Sequence, residues 1–393
     1  MIATKIKEDI YWVGVIDWGL RSFHGYDTAR GSTYNAYLIL DEKITLIDNV
    51  KEPFTDEMLA RISSVIDPAK IEVIISNHGE PDHSGSLLKV LELAPNAKVY
   101  SAHPNGVKIL EAQYGKGMPL VPVKSGDSIS IGKRTLSFTH APMVHWPDNM
   151  VTYVPEDKIL FSNDIFGQHL ASSERFDGEY DLSIALLEAK KYYANIVLPY
   201  TKQAARIAGV VEGLDIDMIA TSHGLIWQEH IEDIVELYGQ MTSSQKKDKA
   251  IVVYDTMWGS TQEMATQITE TFTENGISVI LFNINDTPAS DIITELMDSK
   301  YLAVGSPTFN NNILPRIASF LTYLKGLAPI DLKYIAFGSY GWGGQSIDII
   351  DKELESMKFE RLVEPIRHNY RPDEDVLKTI KETINQALKK WSI

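Results

Sequence analysis

The sequence contains no cysteine. This absence excludes iron–sulfur clusters held by thiolates, rubredoxin-type iron sites and redox-active disulfides within the chain. It fits a reducing compartment, where disulfides are rare, although any compartment tolerates a chain without cysteine. A metal or redox centre in this chain must therefore be bound through other side chains.

The sequence also lacks a long apolar run and an excess of positive charge. No stretch approaches the roughly 18 apolar residues of a membrane span. The first ten residues, MIATKIKEDI, carry charges where a signal peptide would be apolar, so we expect a cytoplasmic protein. With 37 basic and 53 acidic residues, the net charge of −16 argues against a nucleic-acid partner, whose phosphates require neutralisation.

The length of 393 residues and a change of pattern along the chain indicate two domains. In the first part, short strand-like runs are followed by helical patterns, which predicts a layered α/β sandwich. The polar stretch MTSSQKKDKA (241–250) is the candidate linker. We therefore expect a first domain over residues 1–245 and a second over residues 250–393.

Beyond the linker, strand-like and helical runs alternate. The strand-like runs read AIVVYD, SVILFNI, YLAVGS, YIAFGS and LVEPIR, and helical runs separate and follow them. This alternation predicts a doubly wound, parallel five-stranded sheet with helices on both faces.

The stretch NHGEPDHSG (77–85) follows the strand-like run IEVIIS (71–76). It places four possible metal ligands within six positions, namely His78, Glu80, Asp82 and His83. The glycines and the proline suit a turn that folds these side chains inward. A single histidine would be interpreted as part of a solvated loop, but four ligand types at this density favour a metal site.

Three further ligand types follow strand-like runs: His145 in MVHWPDNM, Asp164 in LFSNDIFG and His223 in TSHGLIW. With the first loop, this series resembles the metallo-β-lactamase fold, which has an H-x-H-x-D-H loop and a later histidine, aspartate and histidine. The resemblance covers about residues 1–245 and implies an αββα sandwich with a two-metal site.

Glu80 stands where that motif has its second histidine. A site with Glu80, Asp82 and Asp164 is richer in hard oxygen donors than the histidine-dominated zinc version. Carboxylates suit iron that cycles between the ferrous and ferric states. Zinc stays an alternative, because it also accepts aspartate and glutamate.

The resemblance implies a division of these ligands between two metals. One metal takes His78, Glu80 and His145, the other takes Asp82 and His223, and Asp164 bridges them. His83 either ligates the second metal or leaves that position open to water.

Two other residues are candidates for hydrogen-bonding groups beside the metals. His24 lies in RSFHGYDTARGSTYNAY, and Tyr193 lies in YYANI. Core packing is the alternative for Tyr193. His140 and His169 lie close to ligand motifs, but no spacing argues for a role.

The stretch VVYDTMWGSTQEMA (252–265) places a loop rich in threonine, serine and glycine between a strand and a helix. Backbone N–H groups and the hydroxyls of Thr256, Ser260 and Thr261 suit a phosphate at the helix N-terminus. The loop does not match G-x-x-x-x-G-K-[ST], which argues against nucleoside triphosphate chemistry. T-x-x-G-S-T instead resembles the FMN-phosphate loop of flavodoxins.

Two further loops, GSPTFNNNILP (305–315) and FGSYGWGGQS (337–346), fall where that fold binds its flavin. Trp258, Tyr340 and Trp342 are candidates to pack on the isoalloxazine ring. The full set of expected FMN contacts is Thr256, Met257, Trp258, Gly259, Ser260, Thr261, Ser306, Pro307, Thr308, Asn310, Asn311, Ser339, Tyr340, Gly341, Trp342 and Gly343.

The two halves together resemble the flavodiiron proteins, or A-type flavoproteins, in which a β-lactamase-like diiron domain precedes a flavodoxin domain. HGEPDH, HWPDNM, SNDIFGQH, SHGLIW, TMWGST and SPTFNN stand in the expected order. The resemblance covers essentially the whole chain and implies no further fused domain. It implies an oxidoreductase, dependent on FMN and two iron ions, that reduces dioxygen to water, nitric oxide to nitrous oxide, or both.

The resemblance also implies partners. Because the chain holds no rubredoxin site, electrons must come from an external donor, usually a rubredoxin and in some archaeal relatives a reduced deazaflavin. If each flavin lies far from the metals of its own chain, a head-to-tail homodimer brings the FMN of one chain to the metals of the other. Such dimers can assemble further into a tetramer.

Two other functions are consistent with parts of the sequence. One is a dizinc hydrolase of the metallo-β-lactamase type with a flavodoxin regulatory domain, against which Glu80 and the flavin loops count. The other is a non-catalytic redox carrier or sensor with a degenerate metal domain, against which the complete ligand series counts. Metal analysis discriminates the hydrolase from the flavodiiron protein.

Overall fold

The computed structural model describes residues 1–391. The chain forms two compact units, of which the first comprises Met1–Tyr192 and Tyr200–Thr242 and the second comprises Tyr193–Pro199 and the chain from Ser243 onward. The last two residues of the predicted second domain, 392–393, lie outside the described residues.

The segment 193–199 is a difference from the predicted division, which assigned it to the first domain. It groups with the second unit because the side chain of Asn195 forms hydrogen bonds with residues of that unit. The amide nitrogen of Asn195 donates to the carbonyl of Ser290 at 3.2 Å, and its amide oxygen accepts from the hydroxyl of Tyr323 at 2.7 Å. No composition change or turn signal around 193–199 predicts that these seven residues would group with the second unit.

The regular elements are numbered in chain order. The strands β1 to β22 are Thr4–Lys7, Ile10–Trp12, Val15–Asp17, Ser22–Phe23, Tyr26–Asp27, Ser32–Tyr34, Tyr37–Ile39, Thr45–Ile47, Val73–Ser76, Lys98–Ala102, Leu120–Val123, Ser128–Ser130, Thr135–His140, Met150–Val154, Ile159–Asn163, Met218–Thr221, Lys247–Tyr254, Ser278–Asn283, Ser299–Gly305, Lys333–Tyr340, Glu360–Arg361 and Ile366–Asn369. The helices α1 to α12 are Thr55–Ser63, Pro81–Ser84, Leu87–Leu93, Asn105–Tyr114, Leu182–Tyr192, Thr201–Val211, Ile231–Thr242, Ser260–Glu274, Ala289–Leu296, Pro315–Leu327, Gln345–Ser356 and Glu374–Trp391. Short 3₁₀ turns lie at Glu52–Phe54, Pro68–Lys70, Asp177–Glu179 and Leu198–Tyr200, and a π-helical turn lies at Tyr193–Val197.

The first unit is built on two packed sheets. One has the order β1-β2-β7-β8-β9-β10-β11, and the other has the order β12-β13-β14-β15-β16. Side chains such as Ile75, Phe138 and Phe161 form the apolar core that both sheets share. On its other side the first sheet packs against α1, α3 and α4 through Met58, Leu87 and Leu110, so a helical layer covers it.

The strand directions in the second sheet gather the later ligand motifs. Strands β13 and β15 both run antiparallel to β14, and β16 runs parallel to β15. The carboxyl ends of β13, β15 and β16 therefore lie at the same edge of the sheet. His145, Asp164 and His223 follow these three strands.

The second unit contains a parallel sheet in the order β18-β17-β19-β20, with β21 and β22 both paired to β20. The order reverses at β17, so the carboxyl ends of β17 and β19 flank the switch point at which such folds bind ligands. The predicted last strand, LVEPIR (362–367), is interrupted. It is replaced by β21 and β22, and Pro365 between them has no N–H group for a continuous ladder.

Among the residues described, no helix combines the length and the apolar composition needed to cross a membrane.

Candidate metal centre and cofactor pocket

The first ligand loop is held by a buried aspartate. Strand β9 (VIIS) is buried at every position and leads directly into Asn77. Asp48 accepts hydrogen bonds from the backbone N–H of Asn77 at 2.7 Å and from its amide at 3.0 Å. Burial raises the pKa of Asp48 to about 6, although the bonds from Asn77 oppose this. Asp48 therefore fixes the point at which the ligand loop leaves the sheet.

A second aspartate orients the first ligand. Asp148 Oδ1 lies 3.1 Å from His78 Nδ1, and its Oδ2 accepts from the backbone N–H of Gly79 at 2.6 Å. The other ring nitrogen, Nε2, is thereby directed to the side of Glu80, whose Oε2 is 3.1 Å away. Burial alone would lower the pKa of His78, but its bonds to Asp148 and Glu80 raise it well above the usual value.

Four buried side chains form the first cluster: His78, Glu80, His145 and Asp164. One ligand atom from each lies within 4.8 Å of the others. His145 Nε2 is 3.4 Å from Glu80 Oε2 and 3.4 Å from Asp164 Oδ2.

Three buried side chains form the second cluster: Asp82, His83 and His223. His223 Nε2 lies 3.4 Å from Asp82 Oδ2, and His83 Nε2 lies 3.4 Å from Asp82 Oδ1. His83 Nε2 is also 3.0 Å from Asp164 Oδ1. The two oxygens of Asp164 thus face different clusters, which is the arrangement that a bridging carboxylate requires.

The donor set fits two metal ions of intermediate hardness. Both oxygens of Asp82 and Asp164, and both nitrogens of His83, are buried, and none of them makes a hydrogen bond of regular geometry despite the short distances between them. Buried polar atoms left in this state cost about 1–3 kcal/mol each. The charges of Asp82 and Asp164 also outweigh burial and raise the pKa of His83 to about 9. Cations that accept lone pairs from these carboxylates and from Nε2 of neutral His83 would satisfy these atoms, and mixed nitrogen and carboxylate ligands suit iron.

The cofactor pocket lies in the second unit, at the loops that follow β17, β19 and β20. It is a cavity of about 540 Å³. Every predicted FMN contact lines it except Gly259, Thr261 and Ser306. Thr261 and Ser306 are fully buried, and the Thr261 hydroxyl lies 3.0 Å from that of Ser339. These two side chains lie behind the cavity wall, and the contact of Gly259, Thr261 and Ser306 with FMN stays a prediction.

The loop after β17 has the form of a phosphate site. Gly259 has φ of 88°, its N–H donates to the Thr256 hydroxyl at 3.0 Å, and α8 begins at the next residue. Unpaired N–H groups in the first turn of a helix favour a bound anion. Trp258 and Trp342 are 93% and 94% exposed beside this loop and offer apolar ring faces. A phosphate site next to open aromatic faces fits a ligand such as FMN.

Two family models match the chain. The model described as ODP family beta lactamase matches residues 33–224, and the flavodoxin model matches residues 252–383. The rubredoxin-oxygen oxidoreductase of Megalodesulfovibrio gigas is 39% identical over 398 residues, covering 99% of each chain. The nitric oxide reductase of Moorella thermoacetica is 43% identical over 367 residues, covering 92% of each chain.

A solved structure shows the same likeness. The flavodiiron protein from Giardia intestinalis is 33% identical and superposes with a TM-score of 0.93. The superposition covers 99% of this chain and 97% of that one. This chain belongs to the flavodiiron protein family. The predicted family and fold class, a metallo-β-lactamase-like domain followed by a flavodoxin-like domain, are confirmed.

In this flavodiiron protein, the loop between β3 and β6 brings His24 to the metal cluster. His24 has a positive φ of 53° in the hairpin of β4 and β5, and its Nε2 lies 2.7 Å from Glu80 Oε1. The bond to Glu80 raises the pKa of His24. The Phe23 ring contacts the rings of His24 and His169 in tilted arrangements, with centroid distances of 4.1 and 4.9 Å.

The tyrosine beside the clusters is Tyr192, the neighbour of the predicted Tyr193. The Tyr192 ring lies 6.0 Å from that of His223, and its buried hydroxyl has no hydrogen-bond partner. Burial, together with the charge of Asp164, raises its pKa well above the usual value. Helix α5 ends at Tyr192 and the π-helical turn begins at Tyr193, which is fully buried and belongs to the second unit. An amino-acid pattern gives no warning of such a turn.

Other supporting residues of the flavodiiron site were missed because they are distant in sequence. The Nδ1 of His223 is 2.7 Å from the carbonyl of Thr33, which directs Nε2 to the cluster. Ser32 lies 2.8 Å from Nδ1 of the buried His169, whose ring is 4.8 Å from that of His223. Asp148 did carry a signal, because it lies three residues after His145. Phe309 and Tyr370 also line the cofactor cavity.

Proposed function

We propose that this flavodiiron protein reduces dioxygen to water, nitric oxide to nitrous oxide, or both, at a non-haem diiron centre that receives electrons through FMN. The observation that carries the proposal is the pair of buried ligand clusters joined through Asp164, in a chain that also has a flavodoxin-type cavity. Relatives named for oxygen and nitric oxide reduction support the choice of reaction.

Seven side chains would hold the metals. One iron would bind His78, Glu80 and His145, the other would bind Asp82, His83 and His223, and Asp164 would give one oxygen to each. When bound, two ferrous ions and reduced FMN supply the four electrons that convert one dioxygen to two waters, or the two electrons that couple two nitric oxide molecules. The 3.0 Å distance from His83 Nε2 to Asp164 favours His83 as a ligand over an open position.

The protein itself surrounds the buried ligand clusters with aromatic and polar side chains. Phe23 excludes water from the side of the site where His223 lies. The centroids of the two rings are 6.3 Å apart. His24 steadies Glu80 from the other side. The hydroxyl of Tyr192 is buried and unpartnered, and its raised pKa keeps it protonated, so it can donate a hydrogen bond to a molecule held beside the clusters.

In the second unit, Thr256, Ser260 and the first N–H groups of α8 would hold the phosphate of FMN. The aromatic side chains of Trp258, Tyr340 and Trp342 would face its ring. The backbone of Gly259 and the buried side chains of Thr261 and Ser306 would shape these loops.

The proposal includes an external electron donor, because the chain has no cysteine for a rubredoxin site of its own. A rubredoxin is the donor that the name of one relative supports, and a reduced deazaflavin is the alternative. A head-to-tail homodimer, a tetramer of such dimers and a cytoplasmic location are also proposed. Dilution to monomers should abolish electron transfer from flavin to iron while both cofactors stay bound, and full activity in monomers would exclude the dimer.

Turnover with each gas tests the proposed reaction. Protein loaded with iron and FMN is reduced with an excess of reduced rubredoxin, and dioxygen or nitric oxide consumption is followed with an electrode. We expect many turnovers with at least one gas, and none in the Asp164→Asn variant. The proposal would be wrong if the loaded protein consumed neither gas faster than free FMN does.

A further inference from the structure

Tyr370 lies outside the three loops that the flavodoxin resemblance predicts, yet it lines the cofactor cavity. It follows β22, which pairs in parallel with the end of β20. The predicted loops follow β17, β19 and β20, so Tyr370 adds a wall from a fourth position along the chain.

The backbone at Tyr370 is held firmly against the loop that follows β20. Its N–H donates to the carbonyl of Tyr340 at 2.7 Å. The amide of Asn369 donates to the same carbonyl at 3.2 Å and also to the carbonyl of Gly341. Tyr370 has a positive φ of 58°, a conformation that few residues other than glycine and asparagine adopt readily. These bonds maintain that conformation and set the direction of the side chain.

The ring of Tyr370 lies beside Gly341, at a distance that leaves room for about one methyl group. A Cβ atom placed on Gly341 would lie 3.5 Å from Cε1 of Tyr370, which is ordinary van der Waals contact. The rest of the side chain is open, since the residue is 65% exposed. Trp258 and Trp342 contact almost nothing, so their side chains lose more freedom when a ligand orders them. Tyr370 is already supported on one side before a ligand binds.

We propose that Tyr370 is a further flavin-binding residue that packs its ring on the isoalloxazine system and fixes the position of the flavin in the cavity. The inference rests on the proposed binding of FMN. The ligand that it recognises is a planar aromatic ring, and the phosphate is recognised separately by the loop after β17.

Binding of FMN to flavin-free protein tests this role. Flavin fluorescence is followed during titration of the wild type, Tyr370→Ala, Tyr370→Gly and Tyr370→Phe. We expect about a tenfold rise in Kd for the alanine and glycine variants, because an aromatic ring packed on the flavin contributes more than the area that it buries. The phenylalanine variant keeps the ring and should stay within about twofold of the wild type.

The controls separate the possible causes. Ile330→Ala removes another exposed apolar side chain of the same unit, 54% exposed and away from the cavity wall, and should leave Kd unchanged. Unchanged Kd in Tyr370→Ala would overturn the inference. So would weak binding in the alanine variant with normal binding in the glycine variant, because the cause would then be backbone strain. If the wild type itself failed to bind FMN, the proposed function would be wrong instead.

Discussion

The metal centre and the cofactor pocket of this flavodiiron protein are built in opposite ways. The ligands of the first are buried, and other residues such as Asp148 and Thr33 hold them in place. The aromatic side chains around the second are exposed, and Trp258 and Trp342 contact little of the protein. A dense group of charges must be positioned in advance, because each misplaced buried charge is costly. A pocket for a large planar ligand gains most of its energy from apolar contact and can stay open until the ligand arrives.

The largest effect should follow from Asp164→Asn, because this carboxylate faces both clusters. The asparagine side chain lacks the negative charge. Its amide nitrogen has no lone pair available for a cation, so the side chain cannot bind one cation through each terminal atom. We expect iron to fall from about two ions to fewer than one per chain, with FMN retained. Elemental analysis and flavin absorbance measure both. Glu92→Gln, which removes an exposed carboxylate that pairs with Lys89, is the matched control. Full iron content in Asp164→Asn would contradict the bridging role.

Asp148→Asn tests the support behind one ligand. The variant should lower iron affinity about 10- to 100-fold, as is typical when the partner of a metal-bound histidine is removed. Competition with a chelator measures this affinity. Asp233→Asn breaks another histidine–aspartate pair, the exposed His230–Asp233 pair, and should have no effect. Equal affinities in both variants would mean that the metal site does not depend on its support.

Asp48→Asn changes the pH dependence of stability in the metal-free protein. The native pKa of about 6 lies above the usual 3.8, so the native state binds more protons than the unfolded state between these values. Asp48 therefore stabilises the fold fully below pH 3.8, and this contribution is lost as the pH rises through 6. The difference between the native and usual pKa values corresponds to about 3 kcal/mol of unfolding free energy at most. Urea unfolding from pH 4 to pH 7 should show a steeper fall in the wild type than in the variant, and parallel curves would contradict the assignment.

Trp342→Ala should have the smallest effect, because this side chain has almost no contact with the protein. We expect FMN binding to weaken about 2- to 10-fold through the loss of one aromatic contact, with iron content and stability unchanged. Fluorescence titration measures the Kd. A loss of iron in this variant would break the contrast between the two regions.

The ligand series could be predicted from the sequence because each metal ligand carries chemistry of its own and follows a strand. The loops of the flavin pocket could be predicted for the same reason. The supporting residues could not, since Thr33 contacts His223 across 190 positions and the pairing follows from the packing of two sheets. Tyr192 was missed because two adjacent tyrosines carry the same chemical signal, and only the packing shows which of them faces the clusters. The interruption at Pro365 was visible in the sequence, but the apolar residues around it indicated a continuous strand.

Iron, zinc and FMN per chain, measured on protein purified without oxygen from cells grown with ample iron, test the diiron and flavin proposal most directly. We expect two irons and one FMN, because the carboxylate-rich clusters suit iron and the second unit has an open flavin pocket. Two zincs per chain would mean that the glutamate at position 80 does not select for iron, and a hydrolytic function would then be the better explanation of the site.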